Sequence, residues 1–326
     1  MRPRRPVAII NADRAMKPML RKTFAAGLVA TSVLAASASA GSTPPRVVSV
    51  TLGAPVRHLA ADAGGAAVHT QAGAGCDTIL LWLPPSPPAK VTAQNCQQPS
   101  TGADVTSLAL YGRRPAWVAY AGGNYREFTV STTLGGRSTF VSLRPVPVED
   151  SAAVHWHVAP GGAPLAFEQD GAVWRIAATG GRACPYPYRA KVCVEVPATG
   201  TLLGVGGGRL LVRAGGKVSL VRQDGSVVRT YPDALEAATD GAVVVELAHG
   251  KLTSGTRSFT VPRNSHVVGI RRGLAAVTSG RTTIVVRLRD GRRRSFAGSV
   301  AALSDVGLYT AAGKRLTFTP AAALGL

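Results

Sequence analysis

Acidic residues are scarce in this chain: 17 Asp and Glu stand against 37 Lys and Arg in 326 residues, a formal net charge of +20. The carboxylates are scattered, with no Asp-x-Asp-x-Asp loop for calcium and no paired acids for general acid–base work. No Gly-x-Ser-x-Gly elbow is present, which excludes the nucleophile of an α/β-hydrolase. Nucleotide-binding loops are missing too. Gly204-Val205-Gly206-Gly207-Gly208 is a glycine cluster between two strand-like runs, with no helix after it to receive a phosphate. Cysteine is limited to Cys76, Cys96, Cys184 and Cys193, and neither near pair has the C-x2-C spacing of a zinc site.

What is present begins with a leader. Arg2, Arg4, Arg5, Arg14, Lys17, Arg21 and Lys22 precede an uncharged stretch from Phe24 to Ala36, and Ala38-Ser39-Ala40 supplies a small-x-small cleavage pattern. Thirteen residues cannot cross a hydrocarbon core of roughly 30 Å as a helix. Residues 1–40 therefore read as a secretory signal peptide cleaved after Ala40, with Met1 or Met16 as the start, and residues 41–326 as the exported protein. The exported part keeps 30 basic against 16 acidic residues, a net of +14. Four cysteines outside the cytoplasm are expected to form disulfides, and the local pairing, Cys76 with Cys96 and Cys184 with Cys193, keeps each bridge within one repeat.

Repetition decides the fold class. Gly-Gly or Asp-Gly steps at 64–65, 122–123, 135–136, 161–162, 170–171, 180–181, 215–216, 224–225, 240–241 and 290–291 separate short runs rich in Val, Leu, Thr and aromatics. Such steps supply the positive φ of tight hairpin turns, so the runs read as antiparallel strands. Four-strand units begin near Val56, Val105, Ala153, Thr201, Ala234, His266 and Val300. The last unit is one strand short, offering only 300–304, 308–311 and 315–319, while an unassigned strand lies at 46–52. The expectation is an all-β chain: a single seven-bladed β-propeller whose N-terminal strand completes and closes the last blade, covering an exposed edge.

One repeat carries a family resemblance. Pro160-Gly161-Gly162, Leu165-Ala166-Phe167, Val173-Trp174-Arg175-Ile176 and Gly180-Gly181 together resemble the WD40-like (PD40) repeat of periplasmic TolB-like propellers. The other repeats keep the turns and the apolar alternation without the motif letters, and the small α/β domain of TolB is missing. The resemblance implies a secreted propeller that binds a protein or another ligand.

Three groups of residues are candidates for chemistry or binding. His155 and His157 share one strand face, so both imidazoles could reach one metal in a propeller lyase or cyclase; no third ligand completes the shell, and no cofactor is expected. Arg263, Arg271, Arg272, Arg281, Arg287, Arg289, Arg292, Arg293 and Arg294 crowd the sixth repeat. With Arg287 and Arg289 read as one strand face and Arg292 to Arg294 just past a turn, they are expected to converge into a patch for polyanions. Lastly, Cys184-Pro185-Tyr186-Pro187-Tyr188-Arg189 to Cys193 would present Tyr186, Tyr188 and Arg189 on a stiff bridged loop. The reading is a non-catalytic, monomeric binding scaffold for a protein or an anionic cell-envelope component, with possible peripheral envelope association. Nucleic acid is not an expected partner, because no aromatics interleave the basic residues.

Overall fold

The computed structural model describes residues 46–62, 64–93, 96, 102–122, 125–132, 139–142, 146–147, 155–158, 165–169, 172–176, 193–222 and 224–326. Strand β1 (Val48–Thr51) comes first. A first sheet follows in the order β2 (Val56–Asp62), β3 (Gly65–Gln71), β4 (Asp77–Trp82) and β5 (Ala89–Ala93). The second holds β6 (Ala103–Tyr111), β7 (Arg114–Gly122) and β8 (Tyr125–Thr132), with both β9 (Thr139–Ser142) and β10 (Val146–Pro147) pairing β8. The third is β11 (His155–Val158), β12 (Leu165–Gln169), β13 (Ala172–Ile176) and β14 (Cys193–Thr199). The fourth is β15 (Thr201–Gly206), β16 (Arg209–Ala214), β17 (Lys217–Arg222) and β18 (Val227–Tyr231). The fifth is β19 (Glu236–Thr239), β20 (Val244–Ala248), β21 (Lys251–Ser254) and β22 (Arg257–Thr260). The sixth is β23 (His266–Arg271), β24 (Leu274–Ser279), β25 (Thr282–Arg287) and β26 (Arg293–Ala297). The seventh has the order β1-β29-β28-β27, from β27 (Val300–Leu303), β28 (Gly307–Ala312) and β29 (Arg315–Pro320), and a short 3₁₀ turn at Ala321–Leu324 ends the chain.

All of these sheets are antiparallel, and none closes on itself among the described residues. The strand left over at the front pairs with the strand left uncovered at the back: Val48 faces Phe318, Ser49 faces Thr317, Val50 faces Leu316 and Thr51 faces Arg315. The first strand of each sheet lies beside the first strand of the next, β2 by β6, β6 by β11, and onward through β15, β19 and β23 to β27, which lies beside β2.

Local chemistry explains the hairpins. Gly215 and Gly216 have φ of 55° and 77°, the left-handed pair that a two-residue turn demands and that side chains resist. The Asp-Gly steps behave differently. Asp224, Asp240 and Asp290 sit in longer connections, where each carboxylate accepts backbone N–H groups two residues on, from Ser226, Ala242 and Arg292. Asp170 lies outside the described residues. Gly241 is needed for a second reason: a Cβ there would strike Gly207, where the turn after β15 meets the turn after β19.

The core is built from the inward faces of neighbouring sheets. One cluster joins Val56, Ala66, Val68 and Trp82 of the first sheet to Tyr309, Ala311 and Leu316 of the seventh, with Val48, Val50 and Leu52 packed against it. Another joins Val245, Leu247 and Leu252 of the fifth to Ile270, Ala275, Val277 and Val286 of the sixth. The alternation read in the sequence is thus spent on contacts between sheets.

Cys76 and Cys96 are disulfide-bonded, as the local pairing anticipates, and the bridge ties the start of β4 to the segment after β5. It closes a loop of 20 residues. Replacing both cysteines by Ala is expected to cost about 3 kcal/mol, from the chain entropy the cross-link removes from the unfolded state. Urea unfolding of the variant checks this, and an unchanged midpoint would contradict it. Cys193 begins β14, while Cys184 lies outside the described residues, so the second pairing is not seen.

Candidate functional site

The densest chemistry among the described side chains is in the first two sheets, on residues other than the histidines singled out by the sequence. Antiparallel pairing of β3 with β2, with Asp62 facing Gly65, sets His69 opposite His58. Their rings stack, with centroids 5.3 Å apart and planes 9° from parallel. β4 then folds back on β3, pairing Asp77 with Gln71 and leaving it diagonal to His69. Asp104, at the start of β6, comes from the neighbouring sheet.

Hydrogen bonds weld these groups together. His69 Nε2 donates to Asp77 Oδ1 at 2.6 Å, and Gln71 Nε2 donates to Asp77 Oδ1 and to Asp104 Oδ1, both at 3.2 Å. Asp104 Oδ1 also accepts from Val105 N at 2.7 Å. His69 and Asp77 are buried, and His69 Nδ1 and Asp77 Oδ2 have no hydrogen-bond partner. Burial holds the His58 imidazole below its usual range, an effect to which the adjacent His69 adds. Chemically, one imidazole and two carboxylates, two of the three groups buried and Asp104 half-buried, converge in an arrangement suited to holding a cation.

A second polar group lies at the opposite ends of the first strands. Arg271, which ends β23, donates from Nη1 to its neighbour's Ile270 carbonyl, and its Nε is buried without a partner. Burial lowers its affinity for the proton, while Asp305, Asp62 and Asp240 act in the other direction. Beside it, Arg272 Nε lies 3.6 Å from Asp305 Oδ1.

The arginines of the sixth sheet are arranged differently from the sequence expectation. Arg287 ends β25, but Arg289 lies in the connection after it, so the two do not share a strand face. The connection bends because Asp290 folds back onto Arg287, accepting from Nε at 2.9 Å and from Nη2 at 2.5 Å. That pairing holds the Asp290 carboxyl at about 2, below the usual carboxylate range. Arg289 and Arg292 each approach the same carboxylate only to 3.9 Å and stay 74% and 73% exposed. Arg293 and Arg294, adjacent on β26, diverge: Arg293 donates to the Thr260 carbonyl, and Arg294 to the carbonyls of Ala323 and Leu324. Only part of the cluster is therefore free to meet a ligand. Beside it, a groove between the sixth and seventh sheets is lined by Val47, Ser49, Phe296 and Thr317, with Arg294 and Arg315 at its sides.

The remaining sequence candidates are less fully seen. His155 and His157 lie two apart on β11, facing Glu168 and Ala166 of β12 along the backbone, which puts them on one face; their side chains are outside the described set. Tyr186, Tyr188 and Arg189 fall outside the described residues. His69, Asp77 and Asp104 were missed by sequence reasoning, which looked for ligands within one short motif. A signal did exist, since two histidines equidistant from a tight turn face each other across a hairpin.

Comparison with known proteins gives a likeness of fold. No family model matches the chain, and no curated protein matches it. A chain of a mitotic checkpoint complex structure is similar at a TM-score of 0.55 and 13% identity, over 97% of this chain and 98% of that one. PorZ, an essential bacterial surface component of the type-IX secretion system of Porphyromonas gingivalis, is similar at a TM-score of 0.52 and 9% identity. That match covers 82% of this chain but spans 37% of the PorZ chain. At these identities the likeness is one of fold alone: a WD40-like propeller fold.

Proposed function

We propose that this chain is an exported, non-catalytic, seven-bladed propeller of TolB-like type that acts as a binding scaffold for a protein or cell-envelope component. The sequential contact of first strands from β2 round to β27, and the pairing of β1 with β29, support seven blades with the N-terminal strand closing the last. The leader at 1–40 and the Cys76 to Cys96 disulfide support an extracytoplasmic setting. PorZ, named as a bacterial surface component, shares the architecture.

The observation that carries the binding role is the exposed pair Arg289 and Arg292, which share one carboxylate already engaged by Arg287. Two exposed guanidinium groups that share one already engaged carboxylate favour an anionic component of the envelope, since the exported chain has a net charge of +14. Co-sedimentation with vesicles of mixed neutral and anionic phospholipid tests this at low and high salt. Binding is expected to fall steeply as salt rises, and Arg289→Glu with Arg292→Glu to weaken it at least about tenfold, given about 1 kcal/mol per basic residue at an anionic surface. Salt-insensitive binding, or a double variant that binds normally, would refute the anionic partner.

A further inference from the structure

We propose that His69, Asp77 and Asp104 form a binding site for one divalent transition-metal ion, set between the first and second sheets. One ligand atom from each of the three lies within 4.8 Å of the others, so modest movement brings all three to coordination distance of a single cation. They come from β3, β4 and β6, so the site is a product of packing between sheets and of no local motif.

A further observation points to a ligand. Asp77 is buried, yet its Oδ2 has no hydrogen-bond donor, a costly omission for a charged oxygen removed from water. His69 is fully buried, and the nitrogen it turns to Asp77 is Nε2, so coordination there displaces the proton that it donates to Asp77 in the metal-free site. The charge count leads the same way. Two carboxylates face His69, on which His58 is stacked, and the uncharged Gln71 amide, so with neutral imidazoles the group carries an excess negative charge, which a divalent cation removes.

The donor set indicates the class of metal. One imidazole with carboxylates suits Zn²⁺, Mn²⁺, Fe²⁺, Co²⁺ or Ni²⁺, whereas Ca²⁺ takes oxygen ligands alone. Three protein ligands leave coordination positions for water, and Gln71 orients both carboxylates as a positioning residue.

The test uses the untagged full chain, stripped with a chelator and dialysed, with Zn²⁺ for calorimetry and Co²⁺ for visible spectroscopy. One equivalent of Zn²⁺ is expected to bind, and Co²⁺ to develop d–d bands distinct from those of the aquo ion. A hundredfold excess over Kd is expected to raise Tm by roughly 5 to 10 °C. Asp104→Asn, at a half-buried position where the isosteric amide keeps an acceptor, should fold normally and weaken Zn²⁺ at least tenfold; Asp77→Asn should weaken it further. Circular dichroism and cooperative unfolding establish that each variant is folded. A folded wild-type chain that takes up no stoichiometric metal overturns the proposal. So does Asp104→Asn or Asp77→Asn binding Zn²⁺ as tightly as the wild type, since the cation would then sit elsewhere, for example at His155 and His157.

Discussion

Trp82→Ala is expected to destabilise the protein by about 4 kcal/mol, the usual range for emptying a buried aromatic site. Trp82 is fully buried and meets the Tyr309 ring edge-on, with centroids 5.8 Å apart, so it is shared by the first and seventh sheets. Tyr309 in turn packs on Phe318 at 4.7 Å, and its burial holds the phenol above its ordinary range. Truncation therefore removes contacts on both sides of a sheet boundary. It also removes the Nε1 donor that reaches the Ser86 carbonyl at 2.9 Å. Trp82→Phe keeps most of the apolar contact and loses the hydrogen bond, so about 1–2 kcal/mol is expected. Urea denaturation with tryptophan-independent detection separates the two. Equal losses for both variants would show that Trp82 stabilises the protein through its hydrogen bond and not through its packing.

Deleting residues 46–52 is the second large perturbation. Val48, Val50 and Leu52 each pack half-buried against the cluster centred on Trp82 and Tyr309, while Ser49 and Thr51 face outward. Losing three half-buried apolar side chains costs roughly 3 kcal/mol at about 1 kcal/mol each. The four paired positions of β1 are lost with them, and the edge of β29 is left open. An open edge of alternating apolar residues templates pairing with another chain, so concentration-dependent association should accompany the loss of stability. Light scattering and thermal unfolding read these effects. A shortened chain that is as stable and as monodisperse as the parent would mean that β1 is dispensable. Ser49→Ala serves as the control: it removes only an exposed hydroxyl contact to Thr317 and should move stability by no more than about 0.5 kcal/mol.

The positions of the sheets were legible because they are set by short-range chemistry. The seven unit starts read from the sequence fall on or within two residues of the starts of β2, β6, β11, β15, β19, β23 and β27. The role of β1 followed from a strand count, one unit being a strand short. Turn chemistry was legible in kind but not in length. Asp240-Gly241 looks like a two-residue hairpin, yet it belongs to a four-residue connection, in which the Asp240 carboxylate accepts the N–H groups of Ala242 and Val243.

The arginine patch is smaller than its sequence suggests because charge in a sequence carries no information about partners. Arg287 is taken by Asp290 three residues away, which local reading could have anticipated. Arg294 is taken by carbonyls 29 and 30 residues away at the chain end, which it could not.

Alternating apolar residues and glycine turns, acting over about ten residues, were enough by themselves to determine where strands begin, where they reverse and which of them share a sheet. Which side chains meet across two sheets was decided only in three dimensions. His69, Asp77 and Asp104 sit in strands whose patterns would be equally satisfied by other polar residues, and only the docking of β6 against the first sheet brings them within reach of one ion. Backbone hydrogen bonding is local and repeats with the chain, whereas the partner of a buried charge depends on every sheet packed around it.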